Sequence, residues 1–276
     1  MLPSDETIPE DKIAWVNGYP CPPAPPVRPF AAVKSVLKLV RDKENTMHVF
    51  DAVSALSGNN GLNQFRNFTS TPYGRRVVET PVRIEHVLSD RAFLRSLPEG
   101  SVGRAYLAFM ENENLTADGL IDAAEEAGIK FRAESQFPAY SRAFLHQSVN
   151  HDLWHVLTGY GRDALGELCV LAFSVGQTGN PGFRLIIAIG AMAQKLEAPG
   201  VPILKALGEG FRMGRGVNYV LQHDVEVLLR RPLQDVRAEL GFIEPVVYNS
   251  IPDGVKRALL QPKAKAVATD AMAKAA

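Results

Sequence analysis

The chain has 276 residues, with 30 Lys plus Arg balanced by 30 Asp plus Glu for a formal net charge of zero. The cations are scattered and no basic stripe interleaves with aromatics, which argues against a nucleic-acid partner, while 46% hydrophobic residues supply a sizeable core for one domain or two small ones. Two cysteines, Cys21 and Cys169, make no disulfide framework and suit a reducing compartment.

Residues 1–29 begin with MLPSDETIPEDKIAW, acidic and without an apolar core, so neither a secretory signal nor an Arg-rich transit peptide is expected. The following PCPPAPPVRP favours an extended polyproline arm that packs on a partner or waves free. Helical periodicity starts at Phe30, with Val33, Val36, Leu37 and Val40 on one face, and continues through Val49, Val53 and Leu56 to a break at Gly58–Gly61. Leu94 and Leu97 precede Pro98 and Gly100, after which Val102, Tyr106, Phe109 and Met110 form another face. Thr116 opens a further helical stretch with Leu120, Ile121 and Ala124, stopped by Gly128. A long helix beginning near Pro138 carries the histidines discussed below. No run is long and apolar enough to span a bilayer; the longest, Phe183 to Ala193, suits a buried or membrane-contacting helix. No period-2 strand is expected. The reading is an all-α fold of about ten helices, a single multi-helix domain over residues 30–262 with a flexible alanine-rich tail at 263–276.

The chemistry concentrates in HDLWHVLTGYGRDALGE, residues 151–167. Helix positions i and i+4 share a face, so His151 and His155 present two ring nitrogens to one point. Gly159, Tyr160 and Gly161 interrupt the helical pattern, which predicts a helix end near Thr158, a short turn, and a second helix returning Glu167 toward the histidines. Asp152 points about 100° away from His151 on an ideal helix, so it either completes the ligand shell from between the helices or orients a neighbouring imidazole. An isolated HxxxH is common in ordinary helices. Four donors in seventeen residues, set among Leu153, Trp154, Val156, Leu157, Leu165, Leu168 and Val170, would be costly to bury without a cation, which favours a metal site between two helices.

HDxxH followed by eleven residues and Glu, continuing as GELCVLAFSVGQTGNPG, resembles the Coq-four family of ubiquinone (coenzyme Q) biosynthesis proteins. TPYGRRVVETPVRI and LPEGSVGRAYLAFM upstream, and RPLQDVRAELGFIEP downstream, are similar to other segments of that family, so the resemblance covers about residues 30–248. One stretch departs from it: FLHQSVNHD, with His146 and Asn150, stands where many members carry an Arg-Glu-Leu type sequence.

The resemblance implies a bacterial protein of ubiquinone biosynthesis that binds a divalent metal and a polyprenylated benzenoid precursor. The implied chemistry is oxidative removal of the ring C1 carboxylate and its replacement by hydroxyl, with Asp152 and Glu167 as catalytic carboxylates and His151, Asp152, His155 and Glu167 as metal ligands. Zinc suits two imidazoles with carboxylates, whereas redox chemistry favours iron or manganese. The implied location is cytoplasmic, peripheral on the inner face of the membrane, as a homodimer among other ubiquinone-biosynthesis proteins. An alternative role is a non-catalytic lipid-binding scaffold organising those enzymes. Gly208, Gly210, Gly214 and Gly216 fit close helix packing, a loop, or a smooth groove for an isoprenoid chain beside Phe211 and Met213, with Arg212 and Arg215 meeting an acidic head group. A metal hydrolase is disfavoured: Asp152 is one methylene shorter than the general base of HExxH proteases, and His86 is remote from the HD pair. Tyr160 and Tyr219 read as packing residues or proton donors. His48, His86 and His223 have no partner at ligand spacing.

Overall fold

A computed structural model describes residues 7–41, 47–80, 83–116 and 135–260. The helix expected between Thr116 and Gly128 and the tail from Lys263 fall outside these, apart from Thr116 itself.

The arm contains a feature the sequence reading did not expect. Strands β1 (Ala14–Val16) and β2 (Tyr19–Cys21) pair antiparallel, Val16 opposite Tyr19 and Ala14 opposite Cys21. Asn17 and Gly18 turn the hairpin with φ of 51° and 87°, both in the left-handed region that Asn and Gly tolerate best. Val16 and Cys21 are buried against the helical body, so this part of the arm packs on its own chain.

The remaining regular elements among the described residues are helices, in more and shorter pieces than ten. The first half holds α1 (Pro29–Arg41), α2 (Met47–Leu56), α3 (Asn60–Thr69), α4 (Pro72–Glu79), α5 (Ile84–Ser89), α6 (Arg91–Ser96) and α7 (Val102–Asn112). Polar residues punctuate it: the Thr71 hydroxyl accepts from Gly74 N–H, the Asp90 carboxylate from Phe93 N–H, and the Ser101 hydroxyl from Arg104 N–H. The second half holds α8 (Pro138–Val149), α9 (His151–Thr158), α10 (Ala164–Thr178), α11 (Pro181–Glu197), α12 (Ile203–Gly216), α13 (Val225–Leu229), α14 (Leu233–Leu240), α15 (Val246–Asn249) and α16 (Asp253–Ala258). The single long helix expected from Pro138 is divided at Asn150. There the side-chain amide joins the backbone N–H in donating to the His146 carbonyl, the local competition that bends helices at short polar residues.

Helix α10 is apolar on nearly every side and is accordingly the centre of the molecule, with Leu165 and Leu168 through Val175 all buried. It packs on α9, α11, α12 and α16. The glycine-rich segment is helical, as α12, and two of its glycines form the seam with α10. A Cβ at Gly214 would stand 2.1 Å from the Phe173 carbonyl oxygen, one at Gly210 2.7 Å from that of Cys169, and one at Gly176 2.7 Å from the Gly214 carbonyl carbon. Close helix packing therefore accounts for Gly210 and Gly214, whereas Gly208 and Gly216 face open space or a side-chain end. Gln177 locks the end of the seam: its amide donates to the carbonyls of Gly214 and Val217 and accepts from Val220 N–H.

Candidate metal centre

The turn between α9 and α10 decides where Glu167 points. Gly159 ends α9 at φ 81° and donates to the His155 carbonyl at 2.9 Å. Asp163 then caps α10, accepting from Leu165 and Gly166 N–H, while its other oxygen takes the Tyr248 hydroxyl. A Cβ at Gly166 would lie 2.0 Å from the Gly161 carbonyl oxygen, so the turn folds down onto the first turn of α10. Glu167 is thereby presented to His151 and His155, as the spacing predicts.

The three donor atoms form a nearly equilateral triangle. His151 Nε2 lies 3.3 Å from His155 Nε2 and 3.3 Å from Glu167 Oε2, and His155 Nε2 lies 3.4 Å from the same oxygen. Among the described residues this is the one group of His, Cys, Asp and Glu with ligand atoms gathered at such spacing, and Asp152 does not belong to it. His155 is buried and its Nδ1 sits 3.0 Å from the Tyr160 carbonyl, a contact that assigns the proton to Nδ1 and leaves the Nε2 lone pair facing the cluster. Phe109 of α7 stacks on the same ring at 5.3 Å.

Burial works against the charged form of His155, but the Glu167 carboxylate, its hydrogen bond and the Asp152 charge raise the imidazole above its ordinary value. Burial also works against ionised Glu167; the two imidazoles outweigh it and hold the carboxyl well below the usual range. Arg162, from the turn, stands 3.5 Å from Glu167 Oε1 and 3.8 Å from Glu113. The two oxygens of Glu167 are thus divided, one toward the histidines and one toward a guanidinium. Arg162 and Phe109 were not anticipated from the sequence, although an arginine inside a glycine turn five residues before a candidate ligand is a readable signal.

The cluster stands at the wall of a cavity of about 620 Å³. His151, Asp152, Arg162 and Glu167 contribute a polar patch to its lining. The rest is largely apolar: Val36 and Leu39 from α1, Phe50 from α2, Phe65 from α3, Leu168 and Leu171 from α10, and Phe183 and Ile186 from α11. Phe211, Arg212 and Arg215 are exposed on α12 and do not line this cavity. The Tyr160 hydroxyl is buried without a hydrogen-bond partner, and it is the residue's carbonyl that serves the cluster. Tyr219 lines the cavity, and burial pushes its hydroxyl up to about 12.

Comparison with known proteins settles the family. The profile described as coenzyme Q (ubiquinone) biosynthesis protein Coq4 matches residues 25–246. The chain belongs to the Coq4 family. It is 31% identical over 176 residues to the mitochondrial ubiquinone biosynthesis protein COQ4 homolog of Bos taurus, and 28% identical over 179 residues to that of Homo sapiens. These alignments cover 63% and 64% of this chain and 62% and 63% of the two relatives, so the chain spans less than two thirds of the curated relatives' length. The crystal structure of a Nostoc punctiforme PCC 73102 protein, assigned provisionally to ubiquinone biosynthesis, superposes with a TM-score of 0.54 at 18% identity, covering 78% of this chain and 98% of that one, and shares the fold. Membership of the Coq4 family bears out the resemblance first drawn from the HDxxH and QTG segments.

Proposed function

We propose that this Coq4-family chain binds one divalent metal through His151, His155 and Glu167 and holds the aromatic head of a polyprenylated benzenoid precursor beside it, with the prenyl tail in the apolar cavity. The observation that carries the reading is the donor triangle at the wall of that cavity. A tetrahedral ion with ligand bonds of about 2.0–2.1 Å separates its donor atoms by about 3.3–3.4 Å, which is the spacing of the three atoms here and favours zinc. Larger octahedral ions such as iron or manganese bring neighbouring ligands closer together at comparable bond lengths. Three protein donors leave a fourth position for a ligand, which supports catalysis over a purely scaffolding site.

When bound, the ion supplies Lewis acidity toward a carboxylate or phenolate oxygen of the head group. The residues supply the rest. The Tyr160 carbonyl keeps the His155 Nε2 lone pair directed at the cluster, and Arg162 holds the second oxygen of Glu167 away from the cluster. Asp152 lines the cavity outside the donor triangle and is assigned to proton handling on the head group. The reaction assigned to the site is replacement of the C1 carboxylate by hydroxyl: the ring–carboxylate bond breaks and carbon dioxide leaves, water supplies the hydroxyl oxygen, and dioxygen takes up the two electrons and two protons as hydrogen peroxide, with a metal such as zinc acting as Lewis acid only.

Delivery of such a lipid fits a membrane contact through α1. Its inner face lines the cavity with Val36 and Leu39, while Phe30, Val33 and Leu37 are exposed beside Lys34, Lys38 and Arg41, a pattern suited to an anionic bilayer surface. No helix among the described residues is long and apolar enough to cross a membrane.

Elemental analysis of purified protein tests the proposal: about one divalent ion per chain, lost in His151→Ala, His155→Ala and Glu167→Ala, is expected. Equal metal in wild type and all three variants refutes it. In the host, deletion is expected to lower ubiquinone and accumulate a prenylated precursor retaining its C1 carboxylate. Normal ubiquinone in the deletion strain removes the pathway assignment, and rescue by the Glu167→Ala copy removes the catalytic one.

A further inference from the structure

A second cavity, of about 300 Å³, lies apart from the metal cluster between α4, α8 and the N-terminal cap of α13. Its wall includes His146, in the stretch where the sequence departs from its family pattern. The imidazole is 2% exposed, stacked on Phe68 at 5.3 Å and met edge-on by Tyr73 at 5.5 Å. Neither ring nitrogen has a hydrogen-bond partner. A buried polar group left in this state costs about 1–3 kcal/mol, so a fold that retains it calls for a partner from outside the chain.

Most other polar groups around this cavity are committed. Asp224 takes Arg76 on one oxygen and caps α13 with the other; Glu85 takes Arg83; the Tyr73 hydroxyl accepts from Val225 N–H. Arg142 differs. Its guanidinium donates to the Val78 carbonyl at 2.7 Å and pairs with no carboxylate among the described residues. Besides the half-buried Glu226 carboxylate, the uncommitted groups on the lining are a neutral imidazole, with an N–H to give, and a guanidinium with spare donors. Oxyanions are what such a pair recognises.

We propose that the cavity over His146 is a second ligand site, for a compact molecule carrying a phosphate or carboxylate group, with His146 donating to the anionic oxygen and Arg142 pairing with its charge. The volume is at the lower end of small-molecule sites, larger than a bare phosphate and too small for a polyprenyl lipid.

The test follows the ring signals of His146 by NMR in the full chain with labelled histidine, while inorganic phosphate or, separately, benzoate is added. His151 and His155 report the metal cluster in the same spectra, so effects there are distinguished from effects here. A saturable shift of the His146 ring is expected with one of the two probes, and the probe that acts identifies the anion class. Arg142→Gln, a change at an exposed side chain, is expected to weaken that binding about tenfold, the loss of one charge-assisted hydrogen bond. His146→Phe keeps the ring stack and, in arginine-labelled protein, is expected to abolish the saturable shift that the same anion produces in the Arg142 side-chain signals of wild type. A His146 ring that responds to neither anion, as it would with only water in the cavity, overturns the proposal, as does a response unchanged by Arg142→Gln.

Discussion

Gly214→Ala tests the seam on which the site rests, because α10 carries Glu167 and is held by α12. The added methyl would lie 2.1 Å from the Phe173 carbonyl oxygen, 2.9 Å from its carbonyl carbon and 3.0 Å from its Cα, all backbone atoms in a fully buried turn of α10. Ordinary contact requires roughly 3.5 Å, so the helices must part by about 1 Å or more. Parting them also strains the bond from Gln177 to the Gly214 carbonyl. Overpacking of this kind costs about 1–3 kcal/mol, and backbone on both sides places it at the upper end, against a helix-propensity gain of about 1 kcal/mol for alanine over glycine. The expected net loss is about 2 kcal/mol, or about 4–8 °C in Tm for a domain of this size. Gly208→Ala is the control: two turns along the same helix, its methyl would meet only the end of the Arg212 side chain at 3.4 Å, and a gain of about 0.5–1 kcal/mol is expected. Urea unfolding at matched m-values measures both. A Gly214→Ala protein as stable as wild type, or a Gly208→Ala protein destabilised equally, refutes the seam.

Glu167→Gln is expected to weaken metal binding about 200- to 5,000-fold in a chelator competition, since metal sites worth about 10–16 kcal/mol distribute about 3–5 kcal/mol to each of three ligands. A loss under tenfold would remove Glu167 from the ligand set. Burial lowers His146 from 6.5 to about 4, with the Asp224 charge opposing it, so as pH falls the unfolded chain takes the proton first. Stability tied to this group is full above pH 6.5 and is lost progressively down to about pH 4, by about 3 kcal/mol. His146→Phe removes that dependence, and parallel pH–stability curves for wild type and variant would contradict it. Replacing Phe30 and Leu37 together by serine is expected to weaken binding to anionic liposomes at least about tenfold, each side chain contributing about 1.5–3 kcal/mol if buried in the bilayer. Unchanged sedimentation with vesicles would move the membrane contact elsewhere.

The candidate site was more legible in the sequence than the fold around it. The interval between His151 and His155 is a local property of a helix, and Gly159 and Gly161 announce the turn that returns Glu167, so three donors on two helices follow from spacing alone. The hairpin was legible and missed: Asn17-Gly18 is the strongest short-range signal for a tight two-residue turn, obscured by the proline-rich run that follows. The break at Asn150 depends on one side-chain amide reaching back to the His146 carbonyl, which periodicity cannot register. The cavity was less accessible still, because its walls come from α1, α2, α3, α8, α9, α10 and α11, and no single helix reveals what its neighbours leave unfilled. Helix α1 did carry a trace of it: Val33, Val36, Leu37, Leu39 and Val40 are more apolar residues than one buried face requires.

The glycine seam also divides the cavity into a stiff half and a compliant half. Helix α10 meets α12 backbone to backbone, with no side chains between them to change rotamer, so the wall formed by Leu168 and Leu171 cannot yield without disturbing Glu167 one turn away. The opposite wall, from α1 to α3, is built of ordinary side-chain contacts and ends in solvent. Differences in the length or saturation of an occupying chain would therefore be absorbed by α1 and its neighbours, leaving the registry of the donor triangle unchanged. On the proposed reading, variation in which lipid is held would be found in residues 29–69, far in sequence from His151, His155 and Glu167.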